Sequence, residues 1–153
     1  MKRKRIKKTM MKVLLDVNIL LDAFLKRPLY FAEALAILQA HKGRRFAGYV
    51  AASTLPNIAY LGQSLRRQAG QNPKQAVQDA IADVRFCVAG LHVVWLDEQV
   101  MQTALAQPGD DLEDNLQIAA VMVGGLDAIV TRDKDFRRAS IKMLTPAQLL
   151  RQI

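Results

Sequence analysis

With 153 residues, 51% of them hydrophobic and 24% charged, and only 8 Gly and 5 Pro, the chain has the size and make-up of one globular domain. That composition excludes disordered, fibrous and low-complexity classes. A single cysteine, Cys87, and two histidines, His41 and His92, exclude an internal disulfide and an all-cysteine zinc site. With no G-x-S-x-G turn, they also argue against a Ser-His-Asp hydrolase.

Cys87 lies between Phe86 and Val88 and reads as a buried structural thiol. Six of the cations behind the net charge of +8 are Lys2, Arg3, Lys4, Arg5, Lys7 and Lys8, so the rest of the chain carries about +2. Residues 1–10 are therefore expected to form a flexible basic arm and residues 11–153 a single domain. Such an arm suits phosphates or an acidic partner. It equally suits a solvated leader ahead of a start at Met10 or Met11. No apolar stretch fits a secretory signal or the ~20 residues that span a bilayer, so a cytoplasmic protein without a membrane partner is expected.

Val13-Leu14-Leu15 ends sharply at Asp16, the pattern of a short strand covered on both faces. Ile19 to Lys26 predicts one or two helical turns stopped before Pro28, and Tyr30 to His41 a helix with Gly43 beyond its end. Phe46 to Val50 predicts a second strand. A helix follows from Ser53 or Thr54, either suited to the N-cap, with Pro56 in its first turn and Ile58, Leu61 and Leu65 on one side. Ala76, Val77, Ala80, Ile81, Val84, Phe86 and Val88 predict a longer helix over about Pro73 to Ala89. Val93 to Trp95 is a third strand, and a helix starts at Asp97 and runs to about Ala106. After Pro108-Gly109, Asp110 or Asp111 caps a helix to about Val123. Ala128 to Val130 is a fourth strand opening into Thr131-Arg132-Asp133. An edge strand near Lys142 to Leu144 and a short helix from Pro146 complete the chain.

This alternation predicts an α/β fold with a mainly parallel sheet flanked by helices. Ligands of such sheets bind at the carboxyl ends of the strands, which directs attention to Asp16, Asn18, Thr131 and Asp133. A third acidic element, Asp110-Asp111-Leu112-Glu113-Asp114, opens a helix, where carboxylates also serve as plain caps. Gathering like charges costs about 4 kcal/mol per pair at ~4 Å in an effective dielectric of ~20, so a compensating cation is expected. Mg²⁺ or Mn²⁺ suits oxygen-only donors, whereas few His and Cys argue against zinc or copper.

Four stretches in order carry a resemblance: Leu15 to Asp22 (LDVNILLD), Ala52 to Ile58 (ASTLPNI), Asp111 to Ala120 (DLEDNLQIAA) and Ile129 to Phe136 (IVTRDKDF). From Met11 to about Leu149 the sequence resembles the PIN-domain family, in particular the branch of VapC-type toxins of toxin–antitoxin pairs. The resemblance implies a three-layer α/β/α fold with four to five strands and a Mg²⁺- or Mn²⁺-dependent endoribonuclease. Asp16, Asp114 and Asp133 match the family's metal-binding acids; Asp133 binds a second ion or positions the attacking water. Asn18 and Thr131 match supporting polar positions. An antitoxin that inserts a helix and a basic side chain, and a homodimer, are also implied.

The departure is Asn57, where many members carry glutamate. Asp111 or Glu113 can restore that charge, and helical spacing favours Asp111, three residues before Asp114 on the same face. Arg132, Lys134, Arg137 and Arg138 follow the last acid and suit either an RNA backbone or a solvated basic turn, as do Lys26 and Arg27. Asp22 reads as a solvated cap. Asn57 keeps open an inactive PIN-like module that binds nucleic acid or protein. A receiver- or phosphatase-type use of Asp16 fits less well, because position 18 is Asn and no strand-end Lys follows.

Overall fold

The computed structural model describes residues 9–134, 136 and 140–153. Residues 1–8 of the expected arm, together with Asp135, Arg137 and Arg138, lie outside them. Five strands, β1 (Lys12–Leu15), β2 (Ala47–Ala51), β3 (His92–Val94), β4 (Ala128–Val130) and β5 (Met143–Leu144), form one all-parallel sheet in the order β3-β2-β1-β4-β5. The expected fold class is the one observed, with β3 and β5 at the two edges.

Among the described residues seven helices connect or follow the strands: α1 (Val17–Phe24), α2 (Phe31–Lys42), α3 (Thr54–Gln68), α4 (Pro73–Gly90), α5 (Glu98–Leu105), α6 (Leu112–Val123) and α7 (Pro146–Gln152). Val13, Leu14 and Leu15 are all 0% exposed because β1 has a core on each face. On one side Val13, Leu15 and Val130 pack with α1, α2, α3 and α7; on the other Leu14 and Ile129 pack with Ile118 and Val121 of α6. A small satellite core joins α5 to α6 through Val100, Ala104, Leu116 and Ala119.

Two local expectations are corrected. Ser53 precedes α3 in a helical backbone conformation and makes no capping bond. On α4 only Ala76, Ala80 and Cys87 are buried, while Val77, Ile81, Phe86 and Val88 are exposed. Ala80 lies beside Gly62 of α3, Val84 packs half-buried on the core, and Phe86, though half-exposed, meets Phe24 of α1 edge-on at 5.5 Å. Cys87 is the expected buried thiol, pushed up to about 12 by burial and by nearby Asp83. His41 is structural: its Nδ1 accepts from Gly48 N at 2.9 Å, so Nε2 carries the proton it donates to the Gly90 carbonyl at 2.7 Å.

The order of strands positions the site. The chain runs outward from β1 to β2 and β3, then returns to β4 on the other flank of β1. The gap between the ends of β1 and β4 is therefore the topological switch point, where such sheets open a crevice.

Candidate functional site

Asp16 terminates β1 at this gap and occupies the N-cap position of α1, yet its side chain makes no capping bond. It is 2% exposed and faces across to β4 and α6. Thr131 Oγ1 donates to its Oδ2 at 2.7 Å, and Gln117 Nε2 donates to its Oδ1 at 3.2 Å. Burial pushes its carboxyl above the ordinary range and Asp133 adds to the push; the bonds from Thr131, Gln117 and the Val17 N–H oppose it without cancelling it. Both side chains that hold Asp16 are neutral.

Thr131 also fixes the next acid, because its Oγ1 accepts from the Asp133 backbone N–H at 2.9 Å. One hydroxyl thus ties the ends of β1 and β4 into a single rim. The third acidic group arrives on α6. Asp111 caps that helix, its Oδ1 accepting from Glu113 N at 2.9 Å and Asp114 N at 3.2 Å, and this turns the first turn toward the rim. The loop before it is pinned by Asn115, whose Nδ2 donates to the Gly109 carbonyl at 2.8 Å. A Cβ on Gly109 would stand 2.7 Å from Asn115 Oδ1, so any larger residue here would displace that side chain.

Asp114 shows how closely the acids gather. Its carboxyl is pushed up to about 6, first by burial and then by Asp111, Asp133, Asp16 and Glu113. Glu113 is also pushed up by burial and by Asp111 and Asp16, and pulled back by a hydrogen bond from the Asn57 side chain. Asn57 thus lies beside a carboxylate contributed by α6. Asp111, the auxiliary acid that helical spacing favours, has one oxygen engaged in capping and lines the same cleft as Asp114, while Glu113 lies near Asn57. Asp110, Asp111 and Asp114 line a cleft of about 590 Å³ together with Pro108, Ile118 and Phe136. Asn18, half-buried, is in the first turn of α1 two residues after Asp16.

These donors suit a hard cation: all are oxygens, and their mutual repulsion disfavours the fully ionised state. Gln117, 1% exposed beside Asp16, adds a buried carbonyl oxygen that has no hydrogen-bond partner among the described residues. Among those residues no three His, Cys, Asp or Glu side chains already form a closed metal cage. The rim is a set of neighbouring carboxylates rather than a finished coordination shell.

Two side chains have roles that sequence reading missed. Gln117 lies one turn after Asp114 on the same helix face, a spacing that could have revealed it. Asp22, read as a solvated cap, is 1% exposed. It accepts from Arg132 Nε and Nη2, both at 2.9 Å, and from Arg27 Nη1 at 3.2 Å. The Arg132 guanidinium lies over the Tyr30 ring, 3.6 Å from its centroid. The position of Asp22 between Leu21 and Ala23 in a buried helix was the available signal. Arg132, considered for the RNA backbone, is thus engaged within the chain, as is Arg27; Lys134 is exposed.

Residues 12–135 match the PIN domain family. Compared with curated proteins, the chain matches none. Among solved structures it is similar to VapC20 of Mycobacterium tuberculosis, a toxin described as cleaving the sarcin–ricin loop, with a TM-score of 0.64 at 13% identity over 88% of this chain and 99% of that one. It is similar to VapBC2 of Rickettsia felis bound to a promoter DNA fragment, with a TM-score of 0.61 at 16% identity over 88% and 98%. A toxin–antitoxin complex from Klebsiella pneumoniae gives 0.61 at 19% over 88% and 97%. At these identities the likeness is one of fold. With the family match spanning the strands and helix that carry Asp16, Asp114 and Asp133, the chain belongs to the PIN-domain family.

Proposed function

We propose that this protein is a Mg²⁺- or Mn²⁺-dependent endoribonuclease, the toxin of a toxin–antitoxin pair. The observation that carries the reading is Asp16: a buried carboxylate at the switch point, held by neutral donors and surrounded by the acids of β4 and α6. With no cationic side chain bonded to it among the described residues, a carboxylate in that setting suits a bound metal ion.

Asp16, Asp114 and Asp133 would hold the metal, with Glu113 as the further acid and Asp111 setting the helix turn that presents them. When bound, the ion supplies the charge that lowers the pKa of water and stabilises the developing charge on a phosphodiester. The chain's own contribution is orientation. Thr131 and Gln117 fix both oxygens of Asp16, and the Thr131 hydroxyl fixes the Asp133 backbone. No histidine or protein nucleophile is required. Lys134, exposed and next to Asp133 in the chain, would be the cation that meets an RNA phosphate. The same acidic cleft would receive a basic side chain of an antitoxin, a partner class supported by the toxin–antitoxin complexes among the structural relatives.

Cleavage of a panel of structured and single-stranded RNAs with Mg²⁺ or Mn²⁺ tests this, comparing wild type, Asp16→Ala and added EDTA. Metal-dependent cleavage lost in Asp16→Ala supports the nuclease. No cleavage by folded wild type with either ion favours the inactive binding module, with Asn57 as the first position to change.

A further inference from the structure

The tripeptide Thr131-Arg132-Asp133 leaves the end of β4 with each of its members held differently. Thr131 bonds Asp16, and Asp133 joins the acidic rim, but Arg132 turns away to a separate anchor. That anchor has three parts from the α1–α2 region. Asp22, in the last part of α1 and 1% exposed, receives the guanidinium side-on through two bonds of 2.9 Å. Tyr30, immediately before α2, lies against the cation's face. Arg27 shares Asp22 Oδ1, and the turn that carries it is held by Arg27 N to the Asp22 carbonyl at 3.1 Å and Tyr30 N to the Arg27 carbonyl at 3.0 Å.

A two-point fork on a buried carboxylate fixes both the place and the rotation of a guanidinium, which a single charge contact does not. Arg132 is bonded covalently on either side to the two residues that define the rim. Fixing its side chain therefore limits where the Asp133 backbone, and with it the carboxylate, can go.

We propose that Asp22, Arg132 and Tyr30 form a clamp that positions Asp133 in the acidic centre, so that Asp22 and Arg132 are positioning residues for metal binding. The inference rests on the proposed nuclease reading for its function. The clamp itself is a property of the chain that can be tested without metal. It also separates two roles for Arg132, since an arginine gripping RNA would act on substrate affinity and one clamped to Asp22 acts on the metal centre.

The experiment uses the full chain as wild type, Arg132→Gln, Asp22→Asn and the milder Tyr30→Leu, each well below its melting temperature. Two readings are taken: backbone amide exchange at Thr131 and Asp133 in EDTA, and Mn²⁺ affinity by calorimetry. The clamp predicts that Arg132→Gln speeds exchange at those two amides more than in β1 and β2, and weakens Mn²⁺ binding about tenfold, the lower end for lost outer partners of metal ligands. Tyr30→Leu should shift both in the same direction by about twofold to threefold, and it serves if the other variants do not fold. With a cleavable RNA, kcat should fall with KM unchanged. Unchanged exchange and Mn²⁺ affinity in both Arg132→Gln and Tyr30→Leu overturn the clamp. So does a raised KM with a salt slope reduced by about one, which identifies a phosphate contact. Wild type that binds no Mn²⁺ overturns the nuclease reading alone, and the exchange result then decides the clamp.

Discussion

Asp16 and Asp22 are six residues apart, at the two ends of one buried helix, and are almost equally inaccessible at 2% and 1% exposure. Their surroundings differ in kind. Asp22 meets two guanidinium groups within 3.2 Å, whereas Asp16 meets a hydroxyl and an amide and has Asp133 for a charged neighbour. A buried carboxylate whose charge is matched inside the chain belongs to the architecture. One held in shape by neutral donors, with no cationic partner among the described residues, is the one that suits the proposed metal ion. The contrast separates scaffold from site more clearly than burial or residue type does.

The sharpest way to break this contrast is to exchange charge for an amide at each end. Asp16→Asn should reduce metal-dependent RNA cleavage by at least about 100-fold while leaving the melting temperature in EDTA unchanged or higher, because a desolvated charge is removed. Asp22→Asn should do the reverse to stability. Losing the partner of a buried fork costs roughly 3 kcal/mol, or about 6–12 °C in a melt of a chain this long. Should Asp16→Asn melt well below wild type in EDTA, or Asp22→Asn melt with it, the division between site and scaffold would be wrong.

Asp114 sharpens the comparison through pH. Its folded pKa, about 6, lies above its unfolded value, so folding favours its protonated form. The stability this contributes is present below the unfolded value and is lost as pH rises through about 6. Metal-free melts should therefore rise as pH falls from 7 to 5, and Asp114→Asn should flatten that dependence and raise the melting temperature at pH 7 by about 2–4 °C. Since the metal competes with the same proton, Mn²⁺ affinity of the wild type should weaken as pH falls through this range. The smallest effect is expected from Asn57→Glu, which sets a second carboxylate against Glu113. It should lower the metal-free melting temperature by about 1–3 °C and recover the loss in Mn²⁺, as differential scanning fluorimetry can show.

Much of this organisation was legible beforehand. Short apolar runs ending in Asp16 and in Thr131-Arg132-Asp133 announced buried parallel strands and the rim on which both acids stand, because strand direction alone places their ends together. The acidic opening of α6 was legible as a cap, and Asp111 is one. Asp22 was misread because solvated acids are the rule, and its partner Arg132 lies 110 residues away. The α4 stripe misled for a related reason: periodicity shows that a helix has an apolar face and does not show how much of that face a neighbour covers.

By itself the sequence determined the order of elements, the oxygen-only chemistry of the acids and the family, since these depend on local pattern and on residue types at fixed spacing. Tertiary structure decided which charges meet. It matched Asp22 with Arg132 and Arg27, left Asp16 to Thr131 and Gln117, and set Glu113 rather than Asp111 against Asn57. The reason is that a carboxylate's role follows from the charges within a few ångströms of it, and those come from segments the chain brings together only when it folds.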